Sequence, residues 1–305
     1  MEELMRQVLL SLSKNKNANQ LAKQFGLRFG AQRFVAGETI ATAIARVQQL
    51  NASGMRVTLD HLGEFVLDKA EAEASCDHCV ETLYAMDRAQ VDANLSIKLT
   101  QLGLDIDKEL CFENVQRILT AAKEVNRFVR IDMEDHTRCD VTLELLHRVR
   151  ERFDNVGTVM QSYLYRAADD VAHLAGLGIP LRIVKGAYKE PKEVAYPEKR
   201  DVDENYKRLV SQSLRLGNRT AIATHDDTLI EWAKRFVEQE GISRDLFEFQ
   251  MLYGIRTGLA QSLVTQGYGM RIYVPFGTDW YGYFMRRLAE RPANVGFVLR
   301  GLVRS

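Results

Sequence analysis

Short strand-like runs recur along the chain, and helical patterns fill the intervals between them. Eight such runs are rich in β-branched and aromatic residues: 56–64, 94–103, 128–135, 156–164, 181–188, 219–226, 247–254 and 270–277. Apolar strands that alternate with helices are typical of a parallel sheet covered by helices, and eight such units in about 250 residues match a (β/α)8 barrel. We therefore predict an α/β fold of the (β/α)8 TIM barrel type, with a doubly wound open sheet as the competing architecture.

The residues ahead of the first predicted strand have helical patterns. Residues 1–50 are therefore predicted to form an N-terminal helical arm, or lid, on a barrel that spans residues 51–305. The chain shows no Pro/Gly-rich linker, no low-complexity stretch and no fine internal repeat, so a single barrel domain is expected.

Charge and hydropathy exclude several classes of protein. The 305 residues include 41 Lys and Arg and 41 Asp and Glu, so no net field favours nucleic acid or an anionic membrane. No apolar run approaches the roughly 20 residues of a membrane-spanning helix. The first residues lack the small-residue cleavage site of a signal peptide. With only four cysteines, a reducing cytoplasmic location is expected.

Cys76 and Cys79 form a C-x-x-C sequence, a spacing that zinc ligands and redox pairs use. No second pair accompanies it, and it opens a helical pattern instead of following a strand. The preferred interpretation is therefore two small residues near a helix start, and no metal site is predicted.

Polar side chains collect at the ends of the predicted strands. They are Asp60, Glu64, Lys98, Asp132, Glu134, Gln161, Lys185, Tyr188, Thr224, His225, Gln250, Tyr253 and Tyr273. Active sites of (β/α)8 barrels lie at the C-terminal ends of the strands. Because a buried charge is individually rare, its repetition at corresponding positions predicts one shared polar site.

The run "RIVKGAY" (182–188) carries two full charges, Arg182 and Lys185, in a segment with the composition of a buried strand. Side chains alternate between the faces of a strand, so at least one of these cations is expected inside the protein. A buried cation needs an anionic or polar partner. The residues alone leave that partner open.

Lys98 and Asp132 admit more than one interpretation. Lys98, in a predicted strand, suits a Schiff-base nucleophile, an anion anchor or a surface residue, and Asp132 is placed where it could pair with it. Residues 134–136 (Glu-Asp-His) follow Asp132 and offer metal-ligand types. They are contiguous, so alternation divides them between faces, and a solvated loop or helix cap is the better interpretation.

Arg286 and Arg287 follow the last predicted strand in a helical pattern that Pro292 ends. Neighbouring helical residues diverge by about 100°, so an ordinary surface pair is one interpretation. Near a barrel mouth, two guanidinium groups would instead form a strong clamp for a carboxylate or phosphate.

Seven motifs together resemble the catalytic barrel of the proline dehydrogenase family. They are "RIVKGAY", "IDMED", "SIKLTQLG", "ATHD", "EFQMLYG", "YVPFG" and "YFMRRLAERPAN". The resemblance covers roughly residues 55–300, and the compact length is similar to the short, single-function bacterial form. It implies a distorted barrel that binds FAD at its mouth and oxidises L-proline to Δ1-pyrroline-5-carboxylate.

The resemblance also implies roles for individual residues. Asp132 and Arg182 are expected to be catalytic. Contacts to FAD are expected from Met133, Gln161, Arg182, Val184, Lys185, Gly186, Ala187, Thr224 and His225. Contacts to proline are expected from Lys98, Tyr188, Leu252, Tyr273, Tyr283, Arg286 and Arg287. Arg286 and Arg287 would hold the substrate carboxylate, while Leu252, Tyr273 and Tyr283 would form apolar walls.

The expected partners follow from the same resemblance. Electrons would pass to a membrane quinone, which suits a cytoplasmic protein that is peripheral at the inner face of the membrane. A separate pyrroline-5-carboxylate dehydrogenase would be the downstream enzyme, and no nucleic acid is expected. The chain lacks a G-x-G-x-x-G turn, but strand-end amides, helix termini and cations can hold a pyrophosphate without one.

Two other functions remain open on the residues alone. Lys98 could serve a Schiff-base aldolase, with the arginine pair holding a substrate phosphate. A barrel without catalytic activity could act as an interaction scaffold, although a scaffold would not need charges at so many strand ends.

Overall fold

The computed structural model describes residues 31–63 and 66–290, with side chains up to residue 285. Eight parallel strands close into a barrel in sequence order, which confirms the predicted (β/α)8 architecture over the open sheet. The strands are β1 (Arg56–His61), β2 (Ala93–Ile97), β3 (Val129–Ile131), β4 (Val156–Gln161), β5 (Leu181–Val184), β6 (Thr220–Ala223), β7 (Phe247–Leu252) and β8 (Met270–Phe276).

Helices surround the barrel. They are α1 (Ile40–Ala52), α2 (Lys69–Arg88), α3 (Lys108–Glu124), α4 (Cys139–Arg150), α5 (Ala167–Gly176), α6 (Lys199–Arg215), α7 (Asp227–Gln239), α8 (Thr257–Thr265) and α9 (Trp280–Glu290). Several begin with a side-chain cap; the Asp107 carboxylate, for example, accepts from the amides of Glu109 and Leu110 at the start of α3. Their apolar faces join the strands in one continuous core.

The first and last helices depart from a regular ring. Helix α1 packs against β1 and β8, where the barrel closes, and it extends across residue 50, the predicted boundary between arm and barrel. Helix α9 instead joins residues 31–35 in a second apolar cluster, which contains Phe34, Leu62 and Trp280. The indole of Trp280 donates to Glu38 at 3.0 Å. Residues 1–30 of the predicted arm (residues 1–50) lie outside the described residues, as does the predicted strand-end residue Glu64.

The predicted strands begin within one residue of the observed strands, but every predicted strand runs too far at its C-terminal end. The run 181–188 shrinks to four strand residues, so Lys185 lies in the loop that follows β5. Likewise Lys98 lies one residue beyond β2 and not within it.

The four cysteines are buried, but Cys76 and Cys79 do not lie near a helix start as predicted, because α2 already begins at Lys69. Cys76 and Cys79 lie within α2 and are buried in the core, and Cys111 and Cys139 are also buried thiols. Burial raises the pKa of Cys76 to about 11. No helix in the described ranges is long and apolar enough to cross a membrane.

Candidate active site

A cavity of about 660 Å³ opens at the C-terminal ends of the strands, which we call the mouth cavity. Its lining residues are Lys98, Asp132, Met133, Val159, Arg182, Val184, Lys185, Gly186, Ala223, Thr224, His225, Asp226, Asp227, Gln250, Met251, Leu252, Arg256 and Tyr273. Parallel strands end at the same side of the barrel, so side chains that are far apart in sequence meet here.

Asp132 and Arg182 form a buried ion pair within this cavity. The Nη1 of Arg182 lies 2.8 Å from Oδ1 of Asp132, and the two residues are 9% and 5% exposed. Ser96 and Tyr273 also donate to the carboxylate, each at 2.7 Å. Burial by itself would raise the pKa of Asp132, but the charges of Arg182 and Lys98 hold it below its usual value. Asp132 is therefore anionic near neutral pH.

Lys98 forms a second ion pair beside the first. Its ammonium donates to both carboxylate oxygens of Asp60, at 2.8 and 2.9 Å, and lies 3.6 Å from Oδ2 of Asp132. Burial acts to lower the pKa of Lys98, but Asp60 and the other neighbours raise it well above its ordinary value. A Schiff-base nucleophile must lose its proton, so this setting disfavours the aldolase interpretation.

The charged partners of Arg182 and Lys185 among the described residues are carboxylates. Arg182 pairs with Asp132, whereas Lys185 lies 2.5 Å from Asp203 and 2.9 Å from Asp226. Burial would raise the pKa of Asp226, but Lys185 above all, together with Lys199, lowers it to about 2. Both cations are thus locally neutralised and lie against the mouth cavity.

The loop after β5 requires a glycine at position 186. Gly186 has a φ of +120°, and a Cβ there would lie 2.2 Å from the ring of Tyr163. The hydroxyl of Tyr163 in turn donates a hydrogen bond to Glu190 at 3.1 Å. The glycine therefore allows the ring of Tyr163 to pack against the backbone of this loop.

Residues 134–136 do not form a metal site. No group of three possible metal ligands occurs in the part of the chain that the structure describes. Asp135 caps the short helix that follows, as predicted, by accepting from the amide of Thr137 at 3.1 Å. Glu134 is half-buried and holds the amide and hydroxyl of Thr100 at 3.1 and 2.6 Å, so it is not a solvated loop residue.

The structure brings most of the predicted site residues to the mouth cavity, although their roles remain predictions. Those that line it are Lys98, Asp132, Met133, Arg182, Val184, Lys185, Gly186, Thr224, His225, Leu252 and Tyr273. Four others, Gln161, Ala187, Tyr188 and Tyr283, are not lining residues. Tyr188 is 43% exposed, and Tyr283 is buried in the apolar cluster of α9. The side chains of Arg286 and Arg287 lie outside the described part of the chain.

Four residues that bind the cations Lys98, Arg182 and Lys185 had no individual role predicted from the sequence. Asp60 and Gln250 were visible as polar residues at strand ends, and Asp226 closes the run 219–226. Asp203 had no such signal, because it lies on the amphipathic helix α6 and meets Lys185 only through folding.

A second cavity of about 810 Å³ lies at the opposite end of the barrel, which we call the base cavity. Arg130 donates there to the carbonyls of Thr158 and Pro180. Arg271 donates to Glu248 at 2.6 Å and to the carbonyl of Val57 at 2.8 Å. The arginines deepest in this cavity are thus bound largely by main-chain carbonyls at the strand starts.

The chain is similar in sequence and structure to proteins named for proline oxidation. A family model described as proline dehydrogenase matches residues 43–300. Proline dehydrogenase 2 of Bacillus subtilis strain 168 is 46% identical over 98% of this chain and 99% of its own length. The proline dehydrogenase of Deinococcus radiodurans is also 46% identical, over 99% of each chain. The crystal structure of proline utilization A from Bdellovibrio bacteriovorus, inactivated by N-propargylglycine, superposes with a TM-score of 0.80 at 26% identity, over 85% of this chain and 32% of that chain.

Proposed function

The chain belongs to the proline dehydrogenase family and is an oxidoreductase that acts on the CH–NH group, and we propose that it oxidises L-proline with FAD bound in the mouth cavity. The observation that carries the proposal is the placement of Lys98, Asp132 and Arg182 around one cavity of suitable size. Cofactor sites typically measure about 300–1,000 Å³.

The residues at the mouth fit a flavin. Met133, Val184 and Leu252 supply apolar surface for a ring system. Beside the cavity, the side-chain oxygen of Gln161 is buried and has no hydrogen-bond partner among the described residues. A buried acceptor of this kind is typically satisfied by a ligand or water. Thr224 and His225 would lie near the pyrophosphate.

Bound FAD would supply a two-electron acceptor for the hydride that leaves the ring CH2 carbon next to the proline nitrogen, while the single bond between that carbon and nitrogen becomes a C=N bond. The product is Δ1-pyrroline-5-carboxylate. The amine must lose its proton before this step, and Asp132, kept anionic by Arg182 and Lys98, is the carboxylate in the cavity that would orient it. No side chain is assigned as the general base.

The charges at the mouth would orient the substrate by its two ends. Arg286 and Arg287 are proposed to hold the proline carboxylate, since they follow β8 on helix α9. Lys98 contributes a permanent positive charge to the same cavity, because Asp60 and Asp132 keep it protonated. Arg182 contributes positive charge beside the electron-rich edge of the cofactor.

Electrons are proposed to pass from the flavin to a membrane quinone, and the product to a separate pyrroline-5-carboxylate dehydrogenase. The proposed location is the cytoplasm, at the inner face of the membrane. A soluble quinone analogue that supports proline turnover would support the acceptor, and a flavin that proline reduces but quinones cannot reoxidise would contradict it.

The test of the whole proposal is a visible spectrum. The purified protein should be yellow and release FAD on denaturation, and anaerobic L-proline should bleach the flavin bands. D-proline is the control and should leave the bands largely unchanged. A correctly folded protein that fails to take up FAD would overturn the proposal. A colourless protein with a borohydride-trapped adduct at Lys98 would favour the aldolase instead.

A further inference from the structure

Gln250 lies inside the barrel, between the mouth and the base. It is on β7 and is 4% exposed. Its side-chain oxygen accepts from the Nε of Arg182 at 2.7 Å. Its side-chain nitrogen donates to Oε1 of Glu248 at 2.6 Å. One amide therefore joins a cation of the mouth cavity to a carboxylate of the base cavity.

Glu248 determines which end of the amide faces Arg182. An ionised carboxylate only accepts hydrogen bonds, so it can bind the nitrogen of Gln250 but not the oxygen. Arg271 donates to Glu248 at 2.6 Å, and Arg56 lies 3.3 Å from its other oxygen. Burial would raise the pKa of Glu248, but Arg271 above all holds it below its usual value, so the carboxylate stays ionised. The amide oxygen is thereby directed to Arg182.

Arg182 is held at two separate edges. Gln250 accepts from Nε, and Asp132 accepts from Nη1 at 2.8 Å. The guanidinium carbon also lies 5.2 Å from the ring centre of Tyr273. Because a guanidinium is planar, two fixed contacts on different edges determine both its position and its plane.

We propose that Gln250 is a positioning residue for Arg182, and that Glu248 fixes the orientation of the Gln250 amide. The charge cluster at the base of the barrel thus sets the geometry of a cation at the mouth. This inference rests on the proposed function, in which Arg182 places its charge beside the flavin. Gln250 itself is not assigned a contact with the substrate or the cofactor.

The direct test is Gln250→Met, which removes both hydrogen bonds without changing the net charge. A less constrained Arg182 stabilises the reduced flavin less, so the midpoint potential should become more negative. A tenfold loss of relative affinity for the reduced form corresponds to about 30 mV for two electrons. Such a loss matches the lower end of what a hydrogen bond to a charged group contributes, about tenfold in an equilibrium.

Asn218→Leu is the matched control. Asn218 is a buried amide that donates to the carbonyl of Ile179 and to Ser213, at 2.9 and 3.3 Å, away from Arg182. This change should lower the Tm and leave the potential unchanged. If Gln250→Met fails to fold, Gln250→Asn replaces it, because the same amide on a side chain one methylene shorter cannot span both partners.

A double-mutant cycle tests the role of Glu248. Glu248→Gln removes a charge, which shifts the potential whether or not the amide of Gln250 is present. The effect on amide orientation exists only when Gln250 is present. We therefore expect the potential shift caused by Glu248→Gln to be more negative in the wild-type background than in the Gln250→Met background, so that the two single shifts do not add up to the shift of the double variant.

The outcomes separate the two hypotheses. A wild-type protein that takes up no flavin overturns the proposed function and the positioning role together. A yellow wild type whose Gln250→Met and Gln250→Asn variants both keep its potential overturns the positioning role alone. Additive shifts in the cycle overturn the assignment of Glu248 and leave that of Gln250.

Discussion

The two ends of the barrel both open into a cavity lined by charged side chains, but the charges have different partners. At the mouth, Lys98 and Arg182 pair with the carboxylates of Asp60 and Asp132. At the base, Arg130 donates to two main-chain carbonyls, and Arg271 divides its donors between Glu248 and a carbonyl.

The two ends differ in whether a cationic side chain can exchange its partner for another. A main-chain carbonyl at a strand start is fixed by the sheet, so an arginine bound to it joins strands together and cannot be redirected. A carboxylate on a side chain can exchange a protein cation for a charged group of a ligand. The same residue types therefore stabilise the fold at the base and remain available for chemistry at the mouth, as barrel architecture generally separates the two roles.

The largest expected effect is that of Asp132→Asn, at the mouth. The change leaves Arg182 buried without its anion, and breaking such a pair costs roughly 3–5 kcal/mol. We expect kcat/KM for proline to fall roughly 100- to 1,000-fold, at about 1.4 kcal/mol for each factor of ten. The measurement is steady-state proline oxidation at fixed acceptor concentration.

Asp245→Asn, in the lining of the base cavity, is the control and should keep the wild-type rate. Equal losses in the two variants would remove the proposed distinction between the ends of the barrel.

Alanine substitutions at two glycines compare how strongly the backbone is constrained at the mouth and at the base of the barrel. Gly186→Ala at the mouth forces an unfavourable φ of +120° and a contact of 2.2 Å with Tyr163. Strain and overpacking together should cost about 2–4 kcal/mol of unfolding free energy. Gly217→Ala, in the loop after α6 on the base side, has a φ of +69° and open space around the added carbon.

The cost of Gly217→Ala should be only about 1 kcal/mol, because only the left-handed backbone is penalised. Urea unfolding of both variants measures the difference. If Gly217→Ala is the more damaging change, the mouth loop is not the more constrained of the two.

His61, at the mouth end of β1, should make stability depend on pH. Burial and, secondly, its neighbour His78 lower the pKa of His61 from 6.5 to about 4. Between these values the unfolded chain binds a proton that the folded chain does not, so stability falls as the pH drops from about 6.5 to about 4 and levels off below. One pKa unit corresponds to about 1.4 kcal/mol, so the loss reaches at most about 3.5 kcal/mol.

Urea unfolding at pH 7 and pH 4.5 checks this expectation. His61→Phe should lose less stability over that interval than the wild type, because the aromatic ring keeps its contact with Phe276 but cannot titrate. An identical loss in both proteins would assign the pH dependence to other groups.

The smallest expected effect is that of Arg130→Met, at the base. The change leaves carbonyls short of a donor, which costs stability, but it also removes a buried charge whose pKa burial and Arg182 lower to about 9. We expect a net loss of about 1–2 kcal/mol and a kcat/KM within about threefold of wild type. A large loss of activity with little loss of stability would place Arg130 among the functional residues instead.

The sequence by itself determined the number of strands, their order and their first residues. These depend on local composition: apolar β-branched runs between helical patterns, with caps such as Asp107, Asp135 and Asp226 at the helix starts. It also predicted that polar strand ends such as Lys98 and Asp132 would meet, because parallel strands in a barrel share one C-terminal end.

Only the tertiary structure decided which groups pair. The partner of Arg182 lies 50 residues away, that of Lys98 lies 38 residues away, and Asp203 reaches Lys185 from the face of a helix. Helix α1 covers the closure of β1 with β8, while α9 packs elsewhere. Local propensity acts between neighbours in the chain, whereas these contacts depend on the twist and closure of the whole sheet.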